Sequence, residues 1–144
     1  MTRCPLCLED KEIVTSHLLP RALYDYCRTV DSEPVVMTSR IVMQTSRQVQ
    51  TPLLCLDCED VLNKGGENWL LPLLATVDGK FPLLDIIERF EPDVPDGELR
   101  IYASSRNPAI KIEKLIHFAM GVFWKASIHS WRGDSKELQI DLGP

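Results

Sequence analysis

Cys4-Pro5-Leu6-Cys7 and, in mid-chain, Leu53-Leu54-Cys55-Leu56-Asp57-Cys58-Glu59 are the two stretches that decide how this chain folds. Each Cys-x-x-Cys pair can wrap its backbone around one edge of a metal ion, and two such pairs complete a tetrahedral shell of four thiolates. Zinc suits that shell best. Iron also accepts four thiolates, but nothing else in the chain favours a redox metal. Redox dithiols or disulfides are the competing explanation. They fit less well, because the chain reads as cytoplasmic and lacks the βαβ pattern that surrounds a thioredoxin-like motif. A structural zinc is therefore expected on Cys4, Cys7, Cys55 and Cys58. The fifth cysteine, Cys27, is expected to be a buried apolar thiol rather than another ligand.

Composition bounds the rest. A chain of 144 residues is about one domain long, and 44% hydrophobic with 26% charged residues is an ordinary globular balance. The N-terminus lacks the apolar run of a secretory signal, which places the protein in the cytoplasm. The most apolar stretch, 115–124, is interrupted by His117 and is far shorter than a membrane span. The formal charge of −5 works against strong non-specific binding to nucleic acid. Residues 51–100 hold eleven acids against Lys64, Lys80, Arg89 and Arg100, so any basic contact surface must be local. Arg21, Arg28, Arg40 and Arg47 are the residues to form it.

Along the chain, the first cysteine pair precedes a strand at 13–15, a loop over Ser16-His17-Leu18-Leu19-Pro20 and a short helix to about Arg28. Strands are expected at 35–38 and 40–44, with Ser39 between them. The second cysteine pair opens a helix that Gly65-Gly66 is expected to break, and a further helix restarts at Glu67 with Pro72 kinking it. Residues 83–90 read as an amphipathic helix, 91–97 as a linker and 99–103 as a strand. Asn107 and Pro108 are expected to start the longest helix, which runs to about Ser130 with Ile112, Leu115, Ala119, Val122, Phe123 and Ala126 along one apolar stripe that Ile116, Met120 and Trp124 widen, packed against the rest of the chain or a partner. The expected class is α+β. Residues 1–75 form a treble-clef (ββα-metal-like) zinc domain, and 76–144 a mainly helical extension that packs on it or on a second subunit. The chain ends on Asp141-Leu142-Gly143-Pro144 with no closing element, as expected of a trimmed or naturally truncated C-terminus.

The order of motifs adds a resemblance. Cys4-x-x-Cys7, then Ser16-His17-Leu18-Leu19-Pro20, then Leu53-Leu54-Cys55-x-x-Cys58-Glu59 resembles the zinc-containing branch of the HNH (His-Me finger) endonucleases. It looks most like an uncharacterised bacterial HNH-like group, to which Phe123-Trp124-Lys125-Ala126-Ser127 is also similar. The resemblance implies that His17 is a general base activating water against a phosphodiester, and that Glu59 is a ligand for a catalytic Mg²⁺ or Mn²⁺. Three positions depart from the family: Ser16 stands where an acid or histidine often holds the metal, Gln50 or Gln48 where an asparagine orients the loop, and Glu59 where histidine or asparagine is usual.

Two functions follow from different classes. One is a metal-dependent endonuclease, or a decayed version of one by these departures, acting on nucleic acid and chiefly DNA. The other is a non-catalytic zinc module that binds nucleic acid or a protein partner through the same scaffold. Asp60 and Glu67 are candidate extra carboxylates near the same helix, with solvated acids on its face the preferred reading of each, His117 reads as a polar position on the long helix, and Trp69, Trp124 and Trp131 as core or interface anchors.

Overall fold

The computed structural model describes residues 1–28, 33, 35–37, 42–44, 47–74, 76, 78–96, 99–103, 107–132 and 137–143. Helices and strands are both present, so the chain is α+β. Strands β1 (Thr2–Arg3) and β2 (Asp10–Lys11) pair antiparallel around the first cysteine pair. The chain then enters β3 (Ile13–His17) and α1 (Arg21–Tyr26), which starts directly after Pro20. Ser16 and His17 thus belong to the strand and not to the loop expected there. Strands β4 (Val35–Met37) and β5 (Val42–Gln44) form an antiparallel pair. Pro34, Thr38, Ser39, Arg40 and Ile41, all part of the sequence reading, lie outside the described residues.

Strand β6 (Gln50–Cys55) pairs with β3, from Ile13 opposite Cys55 to His17 opposite Gln50. The register slips between Val14, which faces Leu54, and Thr15, which faces Pro52, so Leu53 is the extra residue of a bulge. Pro52 has no N–H to offer a ladder and is tolerated beside that break. The slip also explains why Leu53, Leu54 and Cys55 are all buried in succession, where strict alternation would expose one of them.

From Cys55 the chain passes into α2 (Leu56–Leu62), a π turn (Asn63–Glu67) and α3 (Asn68–Leu74). Gly65-Gly66 does not break this rod. A Cβ on Gly66 would lie 2.6 Å from the Lys114 carbonyl oxygen and 2.8 Å from the Phe118 Cβ, so the glycine is there to let another helix approach. That helix is α5 (Ile112–Ile128), reached through α4 (Pro82–Ile87) and the hairpin of β7 (Val94–Asp96) with β8 (Leu99–Ile101). Val94–Asp96 of the expected linker at 91–97 is therefore strand, with Gly97 outside the described residues. Asn107 caps a turn, its Oδ1 accepting the Ala109 N–H at 3.1 Å, and α5 starts only at Ile112. A short pair, β9 (Trp131–Arg132) and β10 (Glu137–Leu138), follows.

One buried cluster joins Cys4, Leu18, Leu54, Cys55, Cys58 and Leu62 to Ala126 and Trp131 from the far end of the chain. The outer face of α5 stays open: Ile112, Ile116, Met120 and Phe123 are exposed, so Ile112 and Phe123 do not lie on a buried stripe. Leu19 is also exposed, and Leu18 and Pro20 anchor its loop in the core. Cys27 is exposed too, because it falls just past the end of α1. Among the described residues no helix is long and apolar enough to cross a membrane.

Candidate metal centre and the adjoining clefts

Four sulfurs come together from two directions. The turn between β1 and β2 supplies Cys4 and Cys7; the end of β6 supplies Cys55 and the first turn of α2 supplies Cys58. Their Sγ atoms all lie within 4.8 Å of one another, and Cys7 and Cys55 are 3.9 Å apart. Zinc–sulfur bonds of about 2.3 Å give a tetrahedron with edges of about 3.8 Å. The spacing fits such an ion. All four are free thiols, which sets aside the disulfide alternative for this geometry.

The knuckle holds its sulfurs with backbone. Cys4 N–H donates to Glu9 O and Leu8 N–H to Cys4 O, both at 2.8 Å, and Leu8 takes a left-handed φ of 63° to close the turn. Cys55 N–H points at Cys4 Sγ from 3.4 Å. Burial alone would raise the Cys4 thiol, but the N–H groups of Cys55, Cys7 and Leu6 hold it down at about 6. Burial pushes Cys58 up, and so do the sulfurs of Cys55, Cys4 and Cys7 crowded around it. Four adjacent thiols cannot all ionise in a low-dielectric pocket without a cation to neutralise them. The arrangement can hold a metal ion such as zinc.

His17 stands at the opposite end of the β3–β6 pair from Cys55. Strand alternation turns its neighbour Ser16 into the core, where it is 1% exposed and its Oγ accepts the Leu54 N–H at 3.2 Å. Ser16 therefore faces away from His17 and cannot share a metal with it. His17 lies between two clefts. The wider, of about 940 Å³, is lined by Arg21, Arg47 and Arg132 together with His129, Gln48 and Gln50. Tyr24 secures one wall through its hydroxyl, which accepts the Val49 N–H at 3.2 Å. Of the basic surface expected from sequence, Arg21 and Arg47 are here. Arg28 instead pairs with Asp25 and Glu33, and Arg40 lies outside the described residues.

The smaller cleft, of about 320 Å³, joins His17 and Arg21 to Glu59, Asn63, Glu67 and Lys125. Glu59 Oε1 is buried there without a hydrogen-bond partner among the described residues, the condition of a carboxylate oxygen suited to a cation. Glu67 is not the solvated acid expected: its side chain is 14% exposed, and burial raises its carboxyl above the ordinary value while Lys125 pulls it back in part. Asp60, by contrast, is exposed and paired with Lys64. Asn63 was within reach of sequence reasoning, since Glu59, Asn63 and Glu67 recur at helical spacing. Lys125 was not. Its burial depends on β3 and the π turn, which meet it only in three dimensions.

No known protein family matches the sequence, and no curated protein or solved structure matches the chain.

Proposed function

We propose that this chain is a metal-dependent endonuclease of the HNH kind, acting on nucleic acid and chiefly DNA, on a treble-clef finger whose four cysteines hold a structural zinc. The observation that carries the reading is that His17 stands in the wall shared by the arginine-lined cleft and the carboxylate-lined one. Phosphodiester hydrolysis needs those two environments side by side, one to seat the backbone and one to hold a divalent ion.

In this reading Arg21, Arg47 and Arg132 seat the phosphates of the strand. His17 takes a proton from the water that attacks phosphorus as the bond to the leaving oxygen breaks. Histidine suits that task because one ring nitrogen can accept the proton while the other is held by a hydrogen bond. Glu59, with Asn63 and Glu67 beside it, would hold Mg²⁺ or Mn²⁺, which when bound supplies charge neutralisation at the scissile phosphate.

The test is nicking of plasmid DNA with Mg²⁺ or Mn²⁺. His17→Ala should keep its zinc and its stability, since His17 is neither a cysteine ligand nor part of the buried cluster. Its cleavage rate should fall by ~10²–10⁴, the usual contribution of a positioned base. Cleavage unaffected by His17→Ala would remove the base assignment. A wild-type protein that cuts neither DNA nor RNA with any divalent ion would leave the clefts as a non-catalytic binding surface for nucleic acid or a protein partner.

A further inference from the structure

We propose that Lys125 is a positioning residue for His17, its catalytic consequence resting on the nuclease reading above and its geometry on the fold alone. Lys125 lies on α5 between Trp124 and Ala126, with its side chain 3% exposed. Burying an ammonium is costly unless it is well paired, and a well-packed apolar side chain in its place is often no less stabilising. Its partners are specific. Nζ donates to the backbone oxygen of His17 at 2.8 Å, while Glu67 Oε1 is 3.8 Å away, beyond a hydrogen bond. The short bond therefore fixes the main chain of His17, at the point where the chain leaves β3.

That point controls the ring. His17 is the last residue of β3, and rotation of its carbonyl would turn the Cα–Cβ bond and swing the imidazole from one cleft toward the other. Lys125 is itself held from behind: the indole N–H of Trp131, a residue 1% exposed, donates to the Lys125 carbonyl at 2.8 Å. Ser130 and Arg132, on either side of Trp131, line the wider cleft. Trp131, Lys125 and His17 thus form one hydrogen-bonded series that ties the wall of the phosphate cleft to the base.

Lys125→Met keeps the length of the stem and removes the donor. In that protein the Trp131 indole N–H signal should stay where it is in the wild type, because its acceptor is main chain, while the imidazole signals of His17 shift or broaden. With DNA and Mn²⁺, kcat should fall about 10- to 100-fold, the cost of a misplaced group, with KM changed by less than about twofold. Lys125→Arg, which keeps a donor, should retain more activity than Lys125→Met. Unmoved His17 signals in a folded Lys125→Met protein, or a loss confined to KM, would overturn the assignment. If the wild type cuts nothing, the nuclease reading fails, yet a His17 ring that responds to Lys125→Met still supports the positioning role. Should Lys125→Met not fold, the double variant Lys125→Met/Glu67→Gln removes both buried charges and carries the same NMR test.

Discussion

Glu67 shows what a single residue costs when it faces a cleft. Its carboxyl is raised above 4.5 because burial outweighs the attraction of Lys125. A raised carboxyl means that the folded chain binds the proton more tightly than the unfolded one. The stability it contributes is present in full below about pH 4.5 and is lost as pH rises through the higher folded value. At pH 7 the ionised group is therefore a liability. Glu67→Gln should melt higher than the wild type at pH 7 without divalent ions, with the gap narrowing as pH falls toward 5. A Glu67→Gln protein less stable than wild type at pH 7 would contradict this sign. Stability given up at a site that binds something is a common trade. The burial behind it was illegible in the sequence, because Glu67 and Lys125 are far apart in the chain and an isolated acid on a helix is usually solvated.

At the scale of elements, the rod from Leu56 to Leu74 is the instructive case. Two adjacent glycines usually signal a break, and they carry that signal for a good reason: glycine weakens a helix by about 1 kcal/mol relative to alanine. Here the rod widens into a π turn and continues, and Lys114 Nζ of α5 donates to the Lys64 carbonyl at 2.8 Å. Whether a glycine loosens a chain or admits a neighbour depends on the neighbour, and α5 lies some fifty residues downstream. Gly66→Ala separates the two roles. Propensity alone would make it stabilising, but the new Cβ meets backbone of α5, which cannot step aside. Overpacking of this kind costs about 1–3 kcal/mol, so the melting temperature should drop by roughly 2–10 °C. Gly65→Ala faces the His117 ring, a side chain able to rotate, and should cost less. A Gly66→Ala protein as stable as wild type would mean that the two helices are not in contact. The cysteine pairs, by contrast, were legible because each is marked by a spacing of three residues, and the second pair repeats the mark of the distant partner it needs.

The whole molecule depends on the cysteine cluster for its centre. Cys4, Cys55 and Cys58 are members of the buried core as well as candidate ligands, so removing the metal would leave crowded thiols where the core should close. Binding of about 10–16 kcal/mol at a structural zinc site matches or exceeds the roughly 5–15 kcal/mol that holds a domain folded. Metal analysis should therefore find one zinc per chain, and chelation or Cys55→Ser should collapse near-UV dichroism and dispersed NMR signals together. A metal-free protein with unchanged melting would refute the site. The core also sets an order of assembly during synthesis. All four cysteines have been made once residue 58 is added, whereas Lys125, the bond partner of His17, comes 67 residues later. At about 5–20 residues per second that is a lag of roughly 3–13 s. A nascent chain can gather the four sulfurs well before α5 arrives, so any ion they take is seated while the wall of the cleft is still inside the ribosome, and His17 waits unclamped until the helix closes over it.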